Sequence, residues 1–482
     1  MNGRAKQGIF ERYGLSQVSG LIACFSLLLF CCSAFRHAVF SSTAFDLGIF
    51  DQALWQLSRG FSPNVSLLGM NILADHGAFI LYPLSLAYHV FPSPYVILAI
   101  QSLMLSFGAL PVLLLAQHYG LNPRSQIVCV LVYLLHPCVF NANLFDFHPE
   151  TIGIPFVLLV VLMAERRRFV AALGCAVIVM SCKEVLSLSV AALGVCFALK
   201  QHRRFGLGLV VFGVSWFVVV TQVIMPHVPG GAMPNAFLRY SFLGDSLWDK
   251  VKTVAGSPWT TLLRAHPFES GSYLIQLVLP CFWVFGRSTA VYLPALIPIV
   301  ALNALSTLEL QRSLRLQYSL PLIPIFSLMA MERLRSLEGM PSWFTLKRAE
   351  LWSLLCFAAP LLAGNTLLFG RYPVAWAPVG ETRSFYSAVE AITPDASVLA
   401  SSRIVPHVAH RVGLGLIDER RFGNEEDAAK SIEEYQYIII DLSNFGSGGE
   451  QNAQRVLERV VRRSASFSKV LEAQGVAVYR HQ

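Results

Sequence analysis

Charge is what this sequence has least of. Lys, Arg, Asp and Glu make up 14% of its 482 residues, against about 25% in an ordinary soluble domain. It has no Walker loop, no zinc-finger spacing and no Rossmann glycine fingerprint, so neither a nucleotide nor a nucleic acid is expected as a partner. Its ten cysteines show no metal-ligand spacing. The last is Cys356, so the C-terminal tail has no disulfide framework. No small-residue cleavage site follows the basic start (Arg4, Lys6, Arg12), and Leu15–Ala38 is therefore read as a retained helix rather than a signal peptide.

What fills the chain instead is apolar. Hydrophobic residues reach 55%, and apolar runs recur from Leu15 to Phe369. The longer ones suit a hydrocarbon layer about 30 Å thick, and a soluble core could bury only one or two of them. The runs are Leu15–Ala38, Tyr95–Gln117, Ile127–Asn141, Ile152–Ala164, Phe169–Cys182, Val185–Leu199, Phe205–Met225, Tyr273–Phe285, Ala290–Leu305, Leu316–Met331 and Leu351–Phe369. Phe79–Phe91, closed by Pro92 and Pro94, is too short to cross comfortably and reads as re-entrant or interfacial.

Basic residues orient these runs. If Phe79–Phe91 does not cross, Arg124, Arg166–Arg168, Lys200, Arg203 and Arg204 all fall on the cytoplasmic side, as do Arg287, Arg333, Arg335, Lys347 and Arg348. If it crosses, the first of these clusters land outside, against the rule. The net charge of +8 therefore reports membrane orientation, not a nucleic-acid footprint. The expected architecture is an all-α polytopic membrane bundle over 1–369, with about eleven spans and a cytoplasmic N-terminus. An outer loop with a short interfacial helix occupies 40–94. A small α/β C-terminal extracytoplasmic domain covers 370–482, with strands at Ser397–Ser401, Tyr437–Asp441 and Val476–Tyr479 and a helix over Asn452–Arg463.

With this topology, nearly every ionisable residue that interrupts the apolar pattern falls at an outer end. Asp46, Asp51 and Gln52 lie in the first outer loop, and Asp75 and His76 open the re-entrant run. Asp146, His148 and Glu150 share the stretch Phe-Asp-Phe-His-Pro-Glu. Lys183 and Glu184 occupy a turn between short spans, and Arg312, Arg315 and Tyr318 flank another. Ionisable groups at membrane depth are costly unless paired or wet, so such a cluster is a functional candidate. Blander readings stand beside it: solvation of the loop acids, helix capping around Asp146, a self-satisfied Lys183–Glu184 pair, and snorkelling arginines. His407 and His410 either face one ligand or, the preferred reading, serve the structure.

The strings FDLGIFDQALW, ANLFDFHPE, the Lys-Glu after a short span and PDASVLASSRIVPHVAHR resemble a family of bacterial polytopic membrane proteins of unassigned function. The similarity runs over roughly 40 to 480. That family distantly resembles the GT-C class of membrane glycosyltransferases, which take a sugar from a polyprenyl-phosphate donor on the outer leaflet. The resemblance implies a GT-C-like bundle in the bacterial inner membrane, with a lipid-linked sugar and membrane lipid as partners. Asp46 matches the class's first-loop acid and Asp146 its second acidic motif. Asp46 is then the candidate base and Asp51 the second choice. Gln52, His76, Lys183, Glu184, Arg312, Arg315 and Tyr318 become candidate substrate-binding residues, and Asp146, His148 and Glu150 candidate ligands for Mg or Mn. The second motif is Asp-x-His-x-Glu rather than Asp-x-Asp, a departure that leaves the metal open. The alternatives are a transporter or flippase of an anionic lipid or sugar, and a non-catalytic scaffold. Against the transporter, the charges stay on one side and no internal repeat appears.

Overall fold

The computed structural model describes residues 2–200, 202–231, 235–337, 346–363, 379–443 and 446–482. Among them, five helices are long and apolar enough to cross a membrane: Leu15–Ala38, Pro94–His118, Pro123–Leu144, Arg203–His227 and Arg287–Leu305. Phe169–Cys182 and Leu186–Leu199 are shorter apolar helices. The remaining runs are helical but less regular. Ile152–Ala164 lies within helix Glu150–Glu165. Tyr273–Phe285 divides into helix Pro267–Val278 and a 3₁₀ segment, Leu279–Val284, where Pro280 removes a backbone donor. Leu316–Met331 begins as the 3₁₀ segment Gln317–Leu322 and continues as helix Ile323–Leu337. The last run begins in helix Leu346–Ala363; its Phe369 end and the 369/370 boundary lie outside the described residues.

The chain forms two compact units, one from Met1–Cys31, Leu73–Ile80 and Ala99–Pro373, the other from Cys32–Ile72, Leu81–Leu98 and Val374–Gln482. The first is a helical bundle whose helix starts are written locally. Asn122 accepts a hydrogen bond from the Ser125 N–H, and Pro123 takes the first helical position, where its missing donor is no loss. Helices Leu186–Leu199 and Arg203–Val219 meet backbone to backbone. A Cβ on Gly206 would stand 2.4 Å from the Ala198 nitrogen, and one on Gly213 2.5 Å from the Ser187 carbonyl oxygen. Small residues permit this close approach, the packing that apolar helices use where lipid removes the hydrophobic drive.

The second unit is α/β. A short hairpin pairs β1 (Asn64–Val65) with β2 (Met70–Asn71). A larger sheet contains β3 (Val398–Ala400), β4 (Leu414–Leu416), β5 (Tyr437–Asp441), β6 (Phe467–Ala473) and β7 (Val476–His481), in the order β4-β3-β5-β7-β6. The β3–β4 and β3–β5 pairings are parallel, and β5–β7 and β6–β7 antiparallel. Central strand β5 is buried on both faces and reads as an unbroken Tyr-Ile-Ile-Ile run. Its pleat sends Tyr437 and Ile439 into one apolar layer and Ile438 and Ile440 into the other. Helix Val379–Glu390 supplies Phe385 and Ala388 to the first layer, and helix Gly448–Arg463 supplies Ala453 and Leu457 to the second. The first layer is completed by Phe40 and Ala44, residues some 360 positions upstream of that sheet. The run Phe79–Phe91 becomes helix Leu81–Val90, 10 residues long, or about 15 Å. That is half a bilayer core, in keeping with a segment that does not cross.

Candidate functional site

The second unit holds the first-loop acids. The segment Ala44–Gly48 makes one wide turn that runs into helix Ile49–Ser58. Asp46 sits half-buried on that turn, while Asp51, one helical turn on, is fully buried. Asp51 Oδ1 accepts the Tyr88 hydroxyl at 2.7 Å and faces His410 Nε2 at 3.1 Å. The His410 ring lies parallel to Trp55, centroids 6.0 Å apart. Burial alone would lower the His410 pKa, but Asp51 more than reverses this and leaves it raised. Burial, reinforced by the same carboxylate, pushes the Tyr88 hydroxyl well above its ordinary value.

Gln52, expected to meet substrate, is engaged by the protein itself. Its Nε2 donates to Ser66 Oγ at 2.7 Å and to the Arg411 carbonyl at 2.9 Å, and its Oε1 accepts the Ser66 N–H at 3.1 Å. Both amide protons are therefore used. Nearby, the His407 ring stacks on Phe40 at 3.7 Å and on His37 at 4.2 Å. The segment Ser401–Arg411 thus grips residues 37–52. His407 and His410 both take part in this contact. His410's contact with Asp51 was not foreseen.

The first unit gathers a second group. Glu150 opens its helix, and Lys183 closes Phe169–Cys182 with an extended backbone. Lys183 Nζ lies 2.6 Å from Glu150 Oε1, both side chains nearly out of water. Glu150 Oε2 has no hydrogen-bond partner among the described residues. Glu184 does not pair with its neighbour; it accepts the Gly77 N–H at 3.0 Å, while His76 meets Asp75 at 2.8 Å. The Tyr318 ring lies between two cations, Lys183 Nζ at 6.0 Å and the Arg239 guanidinium at 5.4 Å. Arg239 also donates to Tyr318 Oη at 3.2 Å and Gln311 Oε1 at 3.1 Å. Behind it, Gln311 Nε2 donates to the Tyr240 hydroxyl and to Asn303 Oδ1. No carboxylate ion-pairs with Arg239 among the described residues.

His76, Glu150, Lys183, Glu184 and Tyr318 all lie in this unit, with Lys183 paired to Glu150 and its ammonium 6.0 Å from the Tyr318 ring. Arg312 instead donates to the Ser306 carbonyl. Arg315 takes its backbone N–H to Ser313 Oγ at 3.3 Å. Arg239 is the arginine that reaches Tyr318. It lies in a long loop with no periodicity to mark it. Gln101 was also missed. It is a buried glutamine whose Nε2 donates to the Asp146 carbonyl at 2.7 Å and whose Oε1 accepts the His148 N–H at 3.0 Å. It pins a turn in which Asp146 takes a left-handed φ of 51°, a conformation aspartate tolerates better than most residues. A buried Gln inside an apolar run was the available signal.

Asp146, His148 and Glu150 are not gathered as metal ligands. The His148 ring stacks on Phe145 at 4.9 Å, and Glu150 Oε1 already faces the Lys183 ammonium. Among the described residues no three His, Cys, Asp or Glu side chains group to hold an ion.

Residues 36–478 match the family described as predicted membrane protein, DUF2079. The chain belongs to that family. No curated protein matches the sequence. The DUF2079 chain is similar in fold to two solved structures of ArnT from Cupriavidus metallidurans, both at 14% identity. For ArnT bound to undecaprenyl phosphate the TM-score is 0.54, with 96% of this chain and 97% of ArnT covered. For the apo state it is 0.56, with 96% and 98% covered. It is also similar to the arabinofuranosyltransferase AftD from Mycobacteria, with a TM-score of 0.52 and 14% identity over 97% of this chain and 40% of AftD. The structural neighbours are GT-C glycosyltransferases, in line with the resemblance drawn from the sequence motifs.

Proposed function

We propose that this DUF2079 chain is a membrane glycosyltransferase that moves a sugar from a polyprenyl-phosphate donor to an acceptor at the outer face of the bacterial inner membrane. The observation that carries this reading is the fold it shares, over 96% of its length, with a structure bound to undecaprenyl phosphate. The proposed topology is about eleven spans, with the N-terminus cytoplasmic and the C-terminal sheet extracytoplasmic.

In the second unit, Asp46 is the base. Transfer forms a bond from an acceptor oxygen or nitrogen to the sugar's anomeric carbon and breaks that carbon's bond to phosphate oxygen. The acceptor proton passes to the Asp46 carboxylate. Asp46 remains half-accessible, whereas Asp51 is buried and held by Tyr88 and His410. This contrast supports Asp46 for the proton and Asp51 for shaping the helix behind it. Within the first unit, Lys183 and Arg239 flank the Tyr318 ring and form a cationic group suited to an anion.

The test is transfer by the purified protein in lipid, with a panel of radiolabelled polyprenyl-phosphate sugars. Asp46→Asn keeps the size of the side chain but cannot take a proton, and should lose about 10²–10⁴-fold in turnover. Asp51→Asn still accepts the Tyr88 and His410 hydrogen bonds and should lose much less. Transfer from no donor, or full turnover by Asp46→Asn, would sink this reading.

A further inference from the structure

The connection between the apolar helices Arg203–His227 and Arg287–Leu305 carries two short helices, Leu247–Gly256 and Pro258–Arg264. Both turn their apolar sides outward. On the first, Trp248, Val251 and Val254 are exposed at helical spacing; on the second, Trp259, Leu262 and Leu263 are exposed in the same way. Trp259 is 74% exposed and the neighbouring Phe268 89%. On these two helices only Lys250 and Thr261 are buried, Lys250 with its ammonium on the Gly244 carbonyl, while Asp249, Lys252, Thr260 and Arg264 stay exposed. This is the reverse of a helix facing a protein core. The apolar strip then continues past Phe268 to exposed Leu274 and Ile275 on the next helix.

We infer that these outward faces lie in the headgroup–acyl boundary of the phospholipid bilayer, parallel to its surface. Length excludes a crossing, because helices of 10 and 7 residues reach only about 15 and 10 Å. Composition favours the boundary over the hydrocarbon interior. Each helix contributes a tryptophan, the residue that settles at the lipid–water interface. Lys252 lies 5.6 Å from the Trp248 ring, and Arg264 ends the second helix. Both are long cations that bury their stems and keep their charge at headgroup level. The segment hangs between helices that themselves suit a bilayer, so a lipid surface is the neighbour it meets first.

The experiment places the photoreactive residue benzoylphenylalanine in the full-length chain, in cell membranes. It replaces Trp259 or Leu262 on the outward face, or the exposed Asp249. Val211, exposed on helix Arg203–Val219, serves as the lipid-facing reference. After irradiation, mass spectrometry of the peptides should find phospholipid adducts at 259 and 262 at yields close to that at 211, and several-fold above that at 249. A polypeptide adduct at 259 or 262 would assign the face to a protein partner or a second copy and overturn the inference. Lipid adducts at 211 with none at 259 and 262 would also overturn it, by placing the helices in water.

Discussion

Glu150 and Lys183 sit 2.6 Å apart with 5% and 12% of their side chains exposed, so each charge depends on the other for compensation. Removing one partner of such a buried pair typically costs about 3–5 kcal/mol, while replacing both with apolar groups is often neutral. Glu150→Gln should therefore lower the unfolding temperature sharply in lipid or detergent. Glu150→Gln combined with Lys183→Met should recover most of the loss, and a double variant no better than the single one would show that the pair is not coupled. A second residue-scale effect belongs to Glu450. Burial first, and the Asp441 charge after it, push its carboxyl from 4.5 up to about 7, against hydrogen bonds from the Ser402 and Ser447 N–H groups and the charge of Arg403. The folded chain thus holds this proton at a pH where the unfolded chain has released it. Stability contributed here is present at low pH and lost as pH rises from about 4.5 to about 7. Chemical denaturation across that window should show the decline, and Glu450→Gln should flatten it.

At the scale of elements, the decisive contact joins the start of helix Ile49–Ser58 to the loop after β3. A Cβ on Gly48 would stand 2.7 Å from Val405 Cγ1, so the Val405 methyl leaves no room for a larger residue. Gly48→Ala should destabilise the second unit, and Val405→Ala in the same chain should relieve the clash. Unfolding temperatures of the four proteins in this cycle should give a coupling of about 0.5–3 kcal/mol; strict additivity would remove the contact from the account. The strands around this contact were unequally legible. Strand β5 announces itself as a run of isoleucines, and β3, β7 and helix Gly448–Arg463 carry clear patterns. Strands β4 and β6 do not. The first is three residues with Gly415 at its centre, and the second is an edge strand interrupted by Lys469 and Glu472, where solvent tolerates charge and the apolar alternation fades.

For the whole molecule, orientation is the property on which the rest depends. Cysteines introduced at Glu269 and Asn452, both exposed, should react with an impermeant thiol reagent in intact cells. One at Arg167, exposed in the turn after helix Glu150–Glu165, should react only after permeabilisation. Labelling at Arg167 in intact cells would invert the proposed topology and take the outer-face reaction with it.

Sequence alone marked the long apolar helices, the strand patterns of β3, β5 and β7 and the resemblance to a predicted membrane protein family and to GT-C folds. These follow from local rules: a bilayer demands long apolar runs, and a helix or strand repeats within a few residues. It also singled out Lys183, Glu150 and Tyr318, since a charge or phenol among apolar residues stands out in any window. Tertiary structure alone decided which polar groups meet. That His410 faces Asp51, that Arg239 rather than Arg312 reaches Tyr318, and that Gln101 pins the Asp146 turn are contacts between residues 45 to 359 positions apart. Such pairs leave no periodicity in the chain, because they are selected by the need of each buried polar group for a partner once the apolar surfaces have packed.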